Sequence, residues 1–124
     1  MVLDRNSCMY TYKAKLIKVI EGDTIDASVD LGFDINIRLR IKLYGIITPN
    51  LRSKDLNEQE KAINVKSRLL ELISSDFIVE TIHNKRGKYG RTMGIVYIKY
   101  EDELVNLNQL LISQGLAQEH NGAK

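Results

Sequence analysis

The clearest pattern along the chain is a strict alternation of apolar and polar residues between Ile35 and Tyr44. The odd-numbered positions from 35 to 43 are all Ile or Leu, whereas the even-numbered positions from 36 to 44 are Asn, Arg, Arg, Lys and Tyr. A period of two is typical of a β-strand that has one face in the core and the other toward solvent or a ligand. We therefore predict a strand whose odd-numbered residues are buried and which stops before Pro49.

Shorter patterns predict four further strands and two helices. The strands are expected at Tyr10–Ile20, Thr24–Val29, Phe77–Ile82 and Met93–Tyr100, with turns at residues 21–23 and 30–34. The first helix, from Glu58 to Ile73, is expected to bury one stripe, which consists of Ala62, Val65, Leu69, Leu70 and Ile73. The second, from about Leu104 to Ser113, is expected to end with Gly115 as its C-cap glycine and to have the acidic pair Asp102 and Glu103 near its N-terminus.

The order of these elements predicts the fold class. Three strands, a helix, two strands and a helix is the order of an OB-fold, a small barrel that commonly holds oligonucleotides. We predict an α+β fold built on a five-stranded OB-fold barrel, with one helix between the third and fourth strands and another near the C-terminus. The 124 residues suit a single domain, with a core at about residues 10–118.

Composition narrows the class of protein without identifying a ligand. The chain is 44% hydrophobic and 27% charged, with a formal net charge of only +2, so a basic surface must come from local clustering. The single cysteine, Cys8, excludes an internal disulfide and fits a reducing compartment. No segment has the composition of a secretory signal or a membrane span, and we therefore predict a cytoplasmic protein.

Four short motifs resemble the staphylococcal nuclease (thermonuclease-like) family. They are VIEGDT (Val19–Thr24), RLRIKLYGIITP (Arg38–Pro49), GKYGR (Gly87–Arg91) and LNQLLISQGLA (Leu107–Ala117). They occur in the order and spacing of that family, and together the resemblance covers about residues 10–118. It implies the same barrel and a calcium-assisted attack of water on a phosphodiester.

The resemblance also implies roles for individual residues. Asp23 in the GDT turn matches a calcium ligand, and Thr48 matches a residue that lends the metal its carbonyl oxygen. Arg91 matches one of the two arginines that stabilise charge on the phosphate, and Lys42 stands at the position of the other. Lysine keeps the charge there but loses the planar fork that binds phosphate oxygens in pairs.

Two positions depart from the pattern more seriously. Ile47 stands where the family has a second calcium-binding aspartate, and Asn50 stands where it has the glutamate that orients the water. An alkyl group cannot bind a hard cation, and an amide is no general base near neutral pH. The predicted catalytic set of Arg91, Lys42 and Asn50 is therefore degraded, and calcium is expected to bind only weakly, through Asp23 and Thr48. Ile47 is expected to help close the barrel end.

The basic side chains fall in two groups that are candidates for nucleic-acid contacts. Arg38 and Arg40 share the polar face of the alternating strand with Lys42. The second group is a basic, glycine-containing loop with an aromatic residue, and it comprises Lys85, Arg86, Lys88 and Tyr89. Such clusters attract phosphate backbones, and an aromatic ring offers a base a stacking surface. Each group also fits a simpler interpretation, a solvated strand face or an exposed basic turn, and Asp23 also fits a residue that only stabilises its turn.

Three functions therefore remain open. The first is a catalytically impaired nuclease-like domain that binds DNA or RNA, preferentially as a single strand, through the OB groove and the basic loop. The second is an active metal-dependent phosphodiesterase with a rearranged site, in which Glu21 joins Asp23 at the metal. The third is a module that binds a protein partner. Retention of Asp23 and Arg91 favours the first two, Ile47 and Asn50 count against the second, and the near-neutral charge favours the third.

Overall fold

The strands and helices follow the order expected from the sequence, with three short strands added. The computed structural model describes residues 10–73, 76–86 and 92–119, and for residues 83–86 it describes the backbone only. In chain order the described elements are β1 (Thr11–Glu21), β2 (Thr24–Asp30), β3 (Asn36–Leu43), β4 (Ile46–Ile47), α1 (Leu56–Leu72), β5 (Asp76–Arg86), β6 (Thr92–Tyr100), β7 (Glu103–Asn106), α2 (Leu107–Ser113) and β8 (Gln118–Glu119).

The five long strands form a closed barrel. The sheet order is β3-β2-β1-β5-β6-β7, with antiparallel neighbours, and the barrel closes where β3 pairs in parallel with β6 at Ile41–Leu43. β4 and β8 form a separate two-stranded sheet. The predicted α+β barrel with two helices is confirmed.

The core lies inside the barrel and under α1. Ile25, Ile41, Leu43 and Val79 are among the fully buried side chains that line it. Strand alternation sends these residues inward, and burial of their apolar surface is the main contribution to stability. The opposite face of the same strands holds the charged residues, most of which are exposed, although Asp26 on β2 is buried.

The alternating strand is buried only in its second half. Ile41 and Leu43 are buried and Leu39 is half-buried, whereas Ile35 and Ile37 are exposed, so the prediction was wrong for those two residues. The reason is the position of the barrel seam. β3 meets β6 only at its C-terminal end, and the part nearer the turn pairs with β2 alone.

The first helix confirms most of its predicted buried stripe. Ala62, Val65 and Leu69 are buried within the helix, and Ile73 is buried at its C-cap. Leu70 was wrongly included because it is 54% exposed, while Leu72 is buried instead. The apolar stripe winds slowly around the helix, whereas the barrel surface that it contacts is curved. Whether a residue at the edge of the stripe is buried therefore depends on the strand residues that lie against it.

The start of the second helix also differs from the prediction. Residues 103–106 pair with β6 as an edge strand, and α2 begins at Leu107, where the Asn106 side chain accepts a hydrogen bond from the Gln109 N–H at 3.1 Å. Asp102 lies in the β6–β7 turn at a φ of 66°, and Glu103 opens β7, so this pair does not flank the helix N-terminus as predicted. The helix end is as expected, with Gly115 at a φ of 75° immediately after the C-cap Gln114.

Candidate functional site

The turn between β1 and β2 places a buried carboxylate beside a lysine. Asp23 is 7% exposed, and its Oδ2 lies 3.0 Å from Nζ of Lys42. Its Oδ1 accepts a hydrogen bond from the Thr24 hydroxyl at 3.0 Å. The β2–β3 register pairs Thr24 with Lys42, and this pairing brings the lysine amine to the turn. Both carboxylate oxygens of Asp23 are therefore already engaged by the protein.

Thr48 packs against the same turn because Gly22 has no side chain. A Cβ on Gly22 would lie 2.7 Å from Cγ1 of Val65 and 3.1 Å from the Thr48 hydroxyl oxygen. A glycine is therefore required for the turn to approach α1 and the loop after β4 so closely. The structure thus brings together Asp23, Lys42 and the neighbourhood of Thr48, as the resemblance implied.

Ile47 does not close the barrel end. It is 47% exposed and pairs with Gln118 in the small β4–β8 sheet, whereas its neighbour Ile46 is buried. Alternation along β4 explains this, because consecutive strand residues point to opposite sides. At the position that the resemblance assigns to a second metal ligand, the side chain is thus an alkyl group at the surface.

Asn50 holds the local backbone. Its Oδ1 accepts a hydrogen bond from the Arg52 N–H at 2.8 Å, which forms an Asx turn. Its own N–H donates to Oε2 of Glu58 at 3.2 Å, and the other Glu58 oxygen accepts from the Ser53 hydroxyl at 2.9 Å. The loop after Pro49 is therefore tied to the first turn of α1 through a carboxylate that the sequence did not single out.

The polar face of β3 forms ion pairs with a buried carboxylate on β2. Asp26 accepts from Arg40 Nε at 2.9 Å and Nη2 at 3.3 Å, and from Arg38 Nη2 at 3.0 Å. The Arg40 hydrogen bond, with help from Arg38 and against the opposing effect of burial, lowers the pKa of Asp26 to about 2. The same bond raises the pKa of Arg40. Two guanidiniums on one carboxylate leave a local charge of +1, with both arginines substantially exposed.

Asn108 connects the strand ends below the site. Its side-chain amide donates to the carbonyl oxygens of Tyr44 at 2.7 Å and Gly94 at 3.3 Å, and its Oδ1 accepts from the Val96 N–H at 3.2 Å. The residue is fully buried on α2. In the sequence, the feature that indicates this buried role is a polar residue within the apolar pattern of that helix.

Several predicted site residues lie outside the described part. The structure describes only the backbone of Lys85 and Arg86, at the end of β5, and Lys88, Tyr89 and Arg91 lie outside the described residues. The described backbone on either side shows where this segment is attached. Residues 86 and 92 are paired with each other, and residue 92 is also paired with residue 41, next to Lys42.

The described residues do not form a calcium site as they stand. Calcium takes six to eight oxygen ligands, preferably including carboxylates. Here the Asp23 carboxylate is bound by the Lys42 ammonium, and Ile47 supplies no oxygen. Residues 10–73, 76–86 and 92–119 contain no group of three or more His, Cys, Asp or Glu that could hold a metal.

The helices in the described part of the chain lack the length and apolar character that a membrane-spanning helix needs.

Comparisons with known proteins agree with the fold. A family model described as staphylococcal nuclease homologue matches residues 40–124. A protein named micrococcal nuclease from Shigella flexneri is 25% identical over 111 residues, covering 86% of this chain and 57% of that protein. An uncharacterized protein of Methanocaldococcus jannaschii is 24% identical over 128 residues, covering 86% of this chain and 58% of that protein. The chain thus spans less than two thirds of the length of these relatives. Because the family model matches well over half of this chain, the chain belongs to the staphylococcal nuclease homologue family.

Proposed function

We propose that this protein is a nuclease-like domain that binds nucleic acid and has lost most or all of its hydrolytic activity. The observation that carries the proposal is the Lys42–Asp23 ion pair at 3.0 Å. An ammonium on the retained carboxylate supplies the positive charge that a metal ion would otherwise bring there. With Ile47 and Asn50 in place of carboxylates, these two positions supply neither a second carboxylate ligand for a metal nor a base for water.

The positive charge around this site supports phosphate binding. Arg38 and Arg40 carry a net charge of +1 after pairing with Asp26, and both guanidiniums reach solvent. Residues 85–91 add Lys85, Arg86, Lys88 and Arg91, and the backbone that flanks them is anchored beside Lys42. Contacts between such cations and phosphates release counterions and give salt-dependent affinity.

The finer parts of the proposal come from the residue types. We propose a preference for a single strand, DNA or RNA, because Tyr89 in the basic segment offers a stacking surface that a duplex cannot use. We also propose that residues 1–124 act as one domain, that any calcium binding is weak, and that the protein is cytoplasmic, as its single cysteine suggests.

Fluorescence anisotropy with a labelled 12-nucleotide oligothymidylate tests the binding. Affinity should fall steeply between 50 and 200 mM salt, and Lys88→Ala should reduce the salt slope by about 0.7, the contribution of one phosphate contact of a single strand. Lys54→Ala, at an exposed position in the loop before α1, is the matched control and should leave the slope unchanged. No binding at 50 mM salt would exclude the proposal. Calcium-dependent cleavage by the wild type would instead favour an active phosphodiesterase, with Glu21 and Asp23 at the metal.

One observation favours a protein partner as a second candidate function. The β2–β3 hairpin carries exposed apolar side chains, and Phe33 at its tip is 95% exposed. Phe33 also adopts a φ of 55°, which is uncommon for a bulky residue. Exposed apolar clusters often mark protein interfaces. If oligonucleotides do not bind, Phe33→Ser should abolish the binding of any protein that a pull-down recovers with the wild type.

A further inference from the structure

The outer face of the barrel sheet carries a groove whose lining does not include Asp23, Lys42 or Thr48. The groove measures about 530 Å³ and is lined by residues of β1, β2, β3, β5, β6 and β7. Its floor includes Ile78, Tyr97 and Leu104, and its charged walls include Lys13, Lys15 and Lys99. The register confirms that these residues share one face, because Lys13 pairs with Ile78 and Ile78 pairs with Tyr97, while Lys99 pairs with Leu104.

The groove combines unpaired cations with an aromatic surface. Among the residues that the structure describes, Lys13, Lys15 and Lys99 form no ion pair, and all three are exposed. The Tyr97 hydroxyl donates to Oε1 of Glu80 at 2.7 Å, and this bond fixes the orientation of the ring. Two carboxylates also line the groove, Asp30 and Asp76, and the Asp30 carboxylate accepts from the Gly32 N–H at 2.8 Å within its own turn.

We infer that this groove binds a segment of single-stranded nucleic acid without a metal, with bases on the Tyr97 floor and phosphates on the three lysines. A nucleotide joins a flat apolar base to an anionic phosphate, and the groove offers partners for both. A purely acidic peptide would meet the lysines but leave the apolar floor uncovered.

The row of cations continues toward the candidate site. Lys15 pairs with Ser28, and Ser28 pairs with Arg38, so these three residues lie side by side on adjacent strands. Neighbouring strands are about 4.8 Å apart, which places Lys15 and Arg38 about 10 Å from each other. The choice of nucleic acid over an acidic peptide rests on the proposed function, because the row of cations leads to Arg38, which that proposal places in contact with nucleic acid. The groove itself does not require the candidate site to bind.

Photocrosslinking tests the inference on the wild-type protein. An oligothymidylate that contains 5-bromodeoxyuridine is irradiated with the protein, and the adducts are mapped by mass spectrometry. We expect an adduct at Tyr97. Adducts confined to residues 85–91 would overturn the inference while leaving the proposed function intact.

Charge variants give an independent measurement. The triple variant Lys13→Gln, Lys15→Gln, Lys99→Gln should lower the salt slope of oligothymidylate binding by about two units, since each phosphate contact of a single strand contributes about 0.7. The triple variant Lys54→Gln, Lys61→Gln, Lys66→Gln removes the same charge from α1 and the loop before it. If the two variants lower the salt slope equally, the groove lysines act only through the net charge of the protein, and the inference is overturned.

Two further outcomes separate the groove from the proposed function. If the groove variant loses binding while Lys88→Ala and Lys42→Gln do not, the groove is the binding site and the proposed site is not. If a poly-glutamate peptide binds in place of the oligonucleotide and the groove variant abolishes that binding, the inference of a nucleic acid is overturned in favour of an acidic protein. Circular dichroism of each variant verifies that it is folded.

Discussion

Nζ of Lys42 lies 3.0 Å from Oδ2 of Asp23, so a carboxylate that the family resemblance assigns to calcium is paired with a cation of the chain itself. These residues are 19 positions apart and meet because β2 and β3 pair in register. In the function proposed above, this ion pair supplies the positive charge that a calcium ion would otherwise bring to Asp23.

Calcium should bind the wild-type protein no more tightly than millimolar, because one engaged carboxylate leaves most of the coordination to water. Lys42→Gln should raise the affinity by about fivefold, since a partly exposed ion pair is worth about 1 kcal/mol. Isothermal titration calorimetry measures both, with Lys66→Gln as the control for net charge. Micromolar affinity of the wild type would show that another carboxylate enters the site.

Restoring the family's residue types should restore catalysis. The triple variant Ile47→Asp, Asn50→Glu, Lys42→Arg should cleave single-stranded DNA with calcium at least about 100-fold faster than the wild type, the low end of one acid–base contribution. Calcium should also raise its melting temperature far more than that of the wild type. The stability cost should come mainly from Asn50, whose side chain closes the turn to Arg52, because Ile47 is already half exposed.

The matched control for this restoration replaces the two carboxylates by amides: Ile47→Asn, Asn50→Gln and Lys42→Arg. It has nearly the same shape without the charges and should remain inactive. If the wild type already cleaves as fast as the restored variant, the present residues form a working site and the proposed loss of activity is wrong.

Asp26 should make the domain more stable at neutral than at strongly acidic pH. Its pKa is lowered from 3.8 to about 2 in the folded state, so the unfolded chain binds the proton more readily. The stabilisation is therefore fully present above pH 4 and is lost as the pH falls through 2. Asp26→Asn should lower the melting temperature at pH 7 by about 5 °C, for a loss of about 1 kcal/mol to two half-exposed arginines.

The difference between Asp26→Asn and the wild type should shrink toward zero as the pH falls to about 2, which thermal melts between pH 7 and pH 2 would follow. Asp34→Asn is the control, because Asp34 is exposed at a φ of 61°, a conformation that asparagine adopts readily. An equal destabilisation at both pH values would mean that shape rather than charge at residue 26 is responsible.

Asn108→Ala should lower the free energy of unfolding by about 2–3 kcal/mol, because it leaves the Tyr44 and Gly94 carbonyls and the buried Val96 N–H with fewer partners. Urea denaturation measures the loss. Gln109→Ala, the exposed neighbour on the same helix, should cost less than about 0.5 kcal/mol. Similar values for the two variants would show that Asn108 is dispensable.

The sequence by itself determined the barrel and most of its elements. A period of two identified the strands, a helical period identified α1, and Gly115 marked the end of α2, because these features depend on local spacing and backbone conformation. The neighbourhood of Asp23, Lys42 and Thr48 also followed from the sequence, through the family resemblance of the motifs that hold them.

Only the tertiary structure decided which charges meet and which apolar residues are covered. The Lys42–Asp23 pair, the Asp26 network and the Asn108 contacts each join residues at least 12 positions apart, so they depend on strand register and helix docking. Ile35 and Ile37 repeat the core pattern but lie where β3 has a single neighbour, and Ile47 faces outward from a two-residue strand. Periodicity assigns a side chain to a face, whereas burial requires another element to cover that face.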